Sequence, residues 1–554
     1  MKDSEKAENI SKDHRKFAVN TLFSIFNSYG IFIFLIIISF LLARLLSQEL
    51  WGYLILATSI IFIISIILTF FPPALTFSLN YYIPKYLALN QNNKLKSIIK
   101  NALYLKTIFT LMIGILSLII FFFYSSIFSY SLGTHTNLLL ILAPIIIIEG
   151  LSTILISIYQ GFFKFKIILG LTIIRYSFNT LALIFCLFMI EVIMIETIAF
   201  INVLSSLIPF VISCFIFYNL YHKIEESEDE KNSFKENISK ITRFGTPLSI
   251  AILMNEIWKQ IRVLLIGSYG STDLVTGYNI SKNYSSISTN AVTSVSSPLT
   301  TSLSGLEAKK ERKQTNIVFN TTFKFSLFLL LLLTGVLIFL SDFFLFIVFG
   351  ESYLTFSYLI KIYSIIIIFT VLNNLFIPLL NARNKAKFLP FNTFFSLLIT
   401  VPSFLIGLLN LGIIGAIFGL IFANFVTFLF QIYFCFKIGD VKLNIFKIFS
   451  QYFIFFLSLG IAIVLEIFVF NNLRYVLTQQ LNLLIFNELE ILALITFLGL
   501  YLFLTILLKT FSFNELEFLE TFFGGNKKAL NFIRKCLILF KKITYRNIDS
   551  KKIH

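Results

Sequence analysis

The chain has 554 residues, of which 57% are hydrophobic, 17% aromatic and only 13% charged, with a mean hydropathy of +0.88. That balance leaves too little polar surface to solvate a globule of this length, so a water-soluble protein is excluded. The formal net charge of +17 would suggest nucleic acid in a soluble protein; here it is assigned to an anionic membrane leaflet and to topology, and nucleic acid is set aside as a partner.

From Phe17–Leu42 to Ile491–Leu508, about fourteen apolar stretches are long enough to cross a bilayer, each needing roughly 20 residues. They imply an all-α polytopic membrane protein. Ahead of them, residues 1–16 are polar and of mixed charge, with Lys2, Lys6, Lys12, Arg15 and Lys16, and run into span one without an A-x-A-like site, so no cleaved signal peptide is expected. Lysine and arginine then fall into every second connection. The connections led by Lys85, Lys164, Lys223, Lys309, Arg383 and Lys437, with the N-terminal segment and the tail from Lys509, hold 36 of the 45; the opposite ones hold 3, Arg44, Lys282 and Arg474. Short basic loops stay cytoplasmic, so both termini are expected there, with the chain in the cell membrane.

The remaining cations lie inside spans, where an ionisable group is expensive unless it faces protein or water. Lys106 in span three and Lys324 in span nine occupy related places near the cytoplasmic face and read as snorkelling anchors. Arg175 in span five lies about 14 Å deep and is a cavity cation or the mate of a structural partner such as Glu149. Span seven is the richest, with Asn255, Glu256, Lys259, Gln260 and Arg262; residues 255, 259 and 262 share one helical face. That face either lines a cavity where Lys259 and Arg262 hold a phosphate, or closes on itself as a Glu256–Lys259 pair that leaves Arg262 over.

Span eight carries Asn283, Ser285, Ser286, Ser288, Thr289, Asn290, Thr293, Ser294, Ser296 and Ser297, neutral donors and acceptors suited to sugars or to gluing helices together. In span ten, Lys361 is within snorkelling reach of the outer surface or lines the cavity, and Asn373 and Asn374 are weaker candidates of the polar kind, as are Asn27 and Ser28 in span one. Glu466 in span thirteen lines a lipid-tail groove or pairs with another helix. Beyond span fourteen, Leu530, Phe532, Ile533, Leu537, Ile538 and Phe540 interleave with Lys527, Lys528, Arg534, Lys535, Lys541 and Lys542, as in a helix lying on the cytoplasmic leaflet. Cys186, Cys214, Cys435 and Cys536 all avoid the outward loops, so no disulfide framework is expected. The four histidines lie in loops or tails, so no histidine relay or metal site inside the membrane is expected, and no cofactor is called for.

The chain also repeats itself at an offset of about 220 residues. Ser47-Gln48-Glu49-Leu50-Trp51-Gly52-Tyr53 after span one answers Ser271-Thr272-Asp273-Leu274-Val275-Thr276-Gly277-Tyr278 after span seven. Pro72-Pro73 answers Pro298, and Gln160-Gly161-Phe162-Phe163-Lys164 answers Asn381-Ala382-Arg383-Asn384-Lys385. The expected organisation is a six-span lobe over 17–221, a charged linker over 222–240, a second lobe over 241–438, two extra spans over 439–510 and a basic amphipathic tail over 511–554. Parallel repeats of this kind build transporters with the substrate at the repeat interface.

These motifs resemble a family. The turn R-L-L-S-Q-E-L-W-G-Y, the closing of span two with F-P-P-A-L-T-F-S-L-N-Y-Y-I-P-K-Y-L, I-Y-Q-G-F-F-K-F-K after span four, F-G-E-S-Y and L-N-A-R-N-K-A-K-F are similar to the polysaccharide-transporter branch of the MATE/Wzx/lipid II flippase superfamily over roughly residues 10–510. The resemblance implies twelve to fourteen helices in two lobes and a flippase for polyprenyl- or dolichyl-(pyro)phosphate-linked saccharides, such as O-antigen or teichoic-acid precursors. Its partners would be the lipid-linked saccharide, membrane lipids and glycosyltransferases or a polymerase of the same pathway. Two rivals stay in view. An ion-coupled drug exporter of the MATE branch would favour an acidic cavity and usually twelve helices. A polytopic glycosyltransferase or polymerase would need acidic residues in a first outward loop that here holds only Glu49. The chain is therefore read as a transporter and not an enzyme, and without a G-x-x-x-x-G-K-[ST] loop it has no nucleotide to drive it.

Overall fold

A computed structural model describes residues 30–70, 75–123, 132–189, 193–225, 233–308, 312–383, 388–441, 443–470 and 486–522, with isolated positions at 128, 385, 535, 538–539 and 541–544. Among these residues every regular element is a helix. Ten are long and apolar enough to cross a membrane, and Gly30–Leu45 is a shorter apolar helix. The protein is an all-α multi-pass membrane protein. Asn27 and Ser28, Ser294–Ser297 as side chains, Arg474, Cys536 and most of the tail pattern fall outside the described residues.

In chain order the helices are α1 (Gly30–Leu45), α2 (Gln48–Phe70), α3 (Leu75–Ala88), α4 (Asn92–Phe123), α5 (Asn137–Leu142), α6 (Pro144–Gly161), α7 (Phe165–Met189), α8 (Ile195–His222) and α9 (Phe234–Tyr269). There follow α10 (Thr272–Ala308), α11 (Arg312–Phe339), α12 (Ser341–Val348), a 3-10 turn over Glu351–Phe356, α13 (Ser357–Ile367) and α14 (Val371–Ala382). The last are α15 (Leu389–Lys437), α16 (Ile445–Leu465) with a π turn over Glu466–Phe470, α17 (Phe486–Leu507) and α18 (Phe513–Phe522). Lys282, read from the sequence as a loop residue, stands inside α10, because the helix already starts at Thr272.

Local chemistry sets these boundaries. Ser233 opens α9 by accepting from the Glu236 amide at 3.2 Å, and Asn444 opens α16 by accepting from Lys447 at 3.3 Å, each satisfying an N–H that the first turn leaves bare. Pro144 starts α6, where its missing N–H is harmless. Within α15, Gly412 has φ +61° and ψ −147°, a conformation open to glycine and strained for other residues. The backbones of Gly407 and Gly415, and of Ser403 and Gly419, meet across this break, so the 49-residue element is two helical arms folded together.

At two of the places paired in the sequence the hydrogen bonding is alike. Ser47 accepts from Leu50 at 3.2 Å at the head of α2, and Ser271 accepts from Leu274 at 3.4 Å at the head of α10. After α6, Phe162 and Lys164 donate to Ile158 and Tyr159 at 3.0 and 2.8 Å; after α14, Arg383 and Lys385 donate to Leu379 and Leu380 at 3.2 and 2.8 Å.

The chain divides into two compact units. One takes in the residues up to Tyr278 with Leu389–Leu397, the other Asn279–Phe388 with Leu398 onward. In the first unit, α2 packs on α9, α3 and α4 pack on α6, and α7 lies along α8. The α2 contact is close because Gly52 lies against the Thr272 carbonyl and Gly267 against Leu56, and the Thr276 hydroxyl donates to the Gln48 carbonyl at 2.8 Å. Small residues matter here, since inside a membrane helices associate by close packing and by hydrogen bonds rather than by expelling water. The second unit is built around α11, which packs on α13, α14, α16 and α17.

Candidate functional site

The polar groups that the sequence places inside spans divide between the two units, and each unit solves its charges differently. In the first, α9 carries Asn255, which is exposed, and Glu256, whose carboxylate receives the Lys259 ammonium at 2.5 Å. This is the internal pair that the spacing allows at one helical turn. Both side chains stay partly open, at 35% and 39% exposure. Arg262, one turn further, is left over: it is half-buried and its Nε is buried with no hydrogen-bond partner among the described residues. Arg175 on α7 reaches Glu149 of α6 at 2.6 Å, the structural partner considered from the sequence.

In the second unit, Lys361 on α13 donates to Asp342 of α12 at 2.7 Å, and the Ser357 hydroxyl donates to the other oxygen of the same carboxylate. Glu466 and Glu490 lie near enough to this pair to interact electrostatically. Asn373 on α14 accepts from buried Gln431 of α15, while Asn374 is half-buried beside it in the same helix. Much of the polar content of α10 is spent on helix structure. Ser286 donates to the Asn283 carbonyl at 2.6 Å, Thr293 to the Asn290 carbonyl at 3.1 Å, and Thr289 to the Ser286 carbonyl at 2.8 Å. Buried Ser285 bonds Ser364 of α13 at 2.9 Å, as expected of helix-packing glue. The Asn283 and Asn290 side chains are half-buried.

Of the ten candidate residues (Arg175, Asn255, Glu256, Lys259, Arg262, Asn283, Asn290, Lys361, Asn373 and Asn374), Glu256 and Lys259 bond to one another, while Arg175, Lys361 and Asn373 bond to residues outside the set. The partners Asp342 and Gln431 escaped sequence reasoning. They stand 19 and 58 residues from the groups they meet, and no periodicity links such distances.

Lys106 and Lys324 correct the snorkelling expectation. Both are buried, at 1% and 3% exposure. Lys106 turns inward and donates to the Leu68 carbonyl of α2. Leu68 lies in the last turn of α2, whose carbonyls have no partner within the helix, so the lysine supplies a donor. Lys324 pairs with Glu515 of α18. Burial would push the Glu515 carboxyl up, but its bonds to Lys324 and Ser512 override this and hold it below its ordinary value.

Compared with known proteins, the profile of a family described as polysaccharide biosynthesis protein matches residues 17–304, just over half of the chain. Among curated proteins no sequence matches. Among solved structures the chain is similar to the lipid II flippase MurJ in an inward closed conformation, at 16% identity over 88% of this chain and 98% of that one, with a TM-score of 0.59. It is also similar to an inward-facing multidrug resistance MATE family transporter of the MOP superfamily, at 14% identity over 71% of this chain and 92% of that one, with a TM-score of 0.60. The Vibrio cholerae MATE transporter VcmN in the bent form gives 13%, 76%, 96% and 0.52 in the same order. At such identities the likeness is one of fold.

Proposed function

Because the chain belongs to the polysaccharide biosynthesis protein family, we propose that it is a flippase. It carries a polyprenyl- or dolichyl-(pyro)phosphate-linked saccharide across the cytoplasmic membrane, with its termini on the cytoplasmic side, for surface glycan assembly. The observation that carries this reading is Arg262. An arginine in the middle of a helix whose Nε is buried without a partner among the described residues calls for an acceptor. Since Glu256 already neutralises Lys259, the face of α9 keeps one cation uncompensated among the described residues, and a guanidinium fork matches phosphate oxygens. An anionic headgroup cannot pass through hydrocarbon unsolvated; cations and neutral amides on the helices solvate it while the prenyl tail stays in lipid. The cycle exposes the site first to one side of the membrane and then to the other, and the partners in the pathway are the glycosyltransferases or polymerase that make and use the saccharide.

The likeness to MurJ extends over 88% of this chain and that to the MATE transporter over 71%, which favours the flippase over a drug exporter. Reconstituted protein given a fluorescent lipid-linked oligosaccharide and, separately, ethidium separates the two. Movement of the lipid-linked sugar alone supports the flippase; movement of ethidium alone overturns it.

A further inference from the structure

The first unit holds a second polar region that differs in kind from Arg262. Arg175 and Glu149 lie 2.6 Å apart and stay partly open, at 33% and 19% side-chain exposure. A paired guanidinium and carboxylate cancel, so they offer no net charge to a phosphate. They do keep unused N–H donors on one side and an unused carboxylate oxygen on the other. Next to them the Tyr176 ring stacks on Phe34 of α1, with centroids 6.0 Å apart and 16° between planes, and the Arg175 guanidinium carbon sits 5.9 Å from the Tyr176 centroid.

One turn along α7, Asn179 is only 7% exposed. Its amide nitrogen donates to Asn202 at 2.9 Å and Ser205 at 3.2 Å on α8, but its oxygen is buried and accepts nothing among the described residues. The neighbouring Thr180 hydroxyl, 8% exposed, is likewise without a partner there. Buried acceptors are rarely left bare, and a ligand hydroxyl would supply the donor that this oxygen lacks among the described residues.

Free donors, a free carboxylate oxygen and a bare amide oxygen beside a stacked aromatic pair match a ring that shows hydroxyls at its edge and C–H groups on its face. A phosphate has no hydroxyl hydrogens to give Glu149 and no face to lay on Tyr176. We propose that Arg175, Glu149, Tyr176, Phe34 and Asn179 form a saccharide subsite, separate from the phosphate-binding Arg262. The assignment rests on the flippase reading and divides its substrate between two parts of one unit: charge at α9, sugar at α7.

The test compares two probes on the purified full-length protein: a polyprenyl diphosphate bearing a disaccharide, and the same polyprenyl diphosphate without sugar. Tyr176→Leu, Phe34→Leu and Glu149→Gln should each weaken the sugar-bearing probe roughly threefold to tenfold and leave the bare one unchanged. Tyr176→Phe, which keeps the ring, should bind both normally, and Arg262→Ala should weaken both, by about ten- to a hundredfold. Equal weakening of both probes by the Leu and Gln variants, or no weakening of either, overturns the sugar subsite while the flippase stands. If wild-type protein binds neither probe, the flippase reading falls and the subsite falls with it.

Discussion

Lys106 and Lys324 show how a single residue type at corresponding places in a repeat can be settled by different neighbours. Lys324 meets the Glu515 carboxylate, and the two side chains are 4% and 14% exposed. Breaking a buried pair by removing one partner strands the other charge, so Glu515→Ala should destabilise the protein by about 3–5 kcal/mol, read as a drop in thermal unfolding temperature in detergent. The same pair has a pH signature. The Glu515 carboxyl is held below its ordinary value in the fold, so its contribution is present at neutral pH and is lost as pH falls through that lowered value, beneath the ordinary glutamate range of about 4.3. Protection of the amides along α18, relative to their intrinsic exchange rate, should therefore fall in acid in the wild type and be low at every pH in Glu515→Ala. Arg262 makes the contrasting functional case. Loss of a charge-assisted bond to a ligand is worth about 1.5–3 kcal/mol, so Arg262→Ala should bind a lipid-linked phosphate ten- to a hundredfold more weakly, while the unfolding temperature stays near wild type. A fall in stability without a fall in affinity would return Arg262 to a structural role.

Among elements, glycine placement separates required contacts from neutral ones. A Cβ at Gly52 would run into the Thr272 carbonyl, a backbone atom that no side-chain rotation can move. Gly52→Ala should therefore force α2 from the head of α10 and lower stability by about 1–3 kcal/mol. At Gly170 in α7 nothing lies within 4 Å of the added carbon. Gly170→Ala should be neutral or stabilising by up to about 1 kcal/mol, because alanine favours helix. Paired thermal unfolding of the two variants checks both directions at once. Ser47 and Ser271 cap these elements locally, yet by sequence pattern the loop before α10 runs past Thr272 to Lys282, because the polar residues of the first turns look like a connection. The fold of α15 into two arms was not drawn from Gly412, since a lone glycine between apolar runs carries no sign of its φ.

For the whole molecule, the expected topology is open to labelling at three serines that the structure leaves exposed. Cysteines placed singly at Ser271 and Ser352 should react with an impermeant maleimide from outside, and one at Ser233 only after permeabilisation. Reaction at Ser233 in sealed cells would invert the assignment. Transport in proteoliposomes should run without ATP and respond to an imposed potential, which is worth about 2.3 kcal/mol per charge per 100 mV. A rate indifferent to both potential and pH gradient would remove that energy source.

Composition and hydropathy were enough to determine an all-helical multi-pass membrane protein. Hydrocarbon demands that backbone bonds be closed within each span, and that demand is met locally and leaves a local trace in the sequence. The fate of each buried charge was decided by tertiary structure. Whether Arg175 stands free or meets Glu149, whether Lys361 snorkels or meets Asp342, and whether Lys106 reaches water or the Leu68 carbonyl all turn on which helix lies alongside. Electrostatic and hydrogen-bond partners act across a few ångströms of space and at any distance along the chain, so the sequence could offer Glu149 as a mate for Arg175 but could not decide the pairing, and it gave no sign of Asp342 or the Leu68 carbonyl.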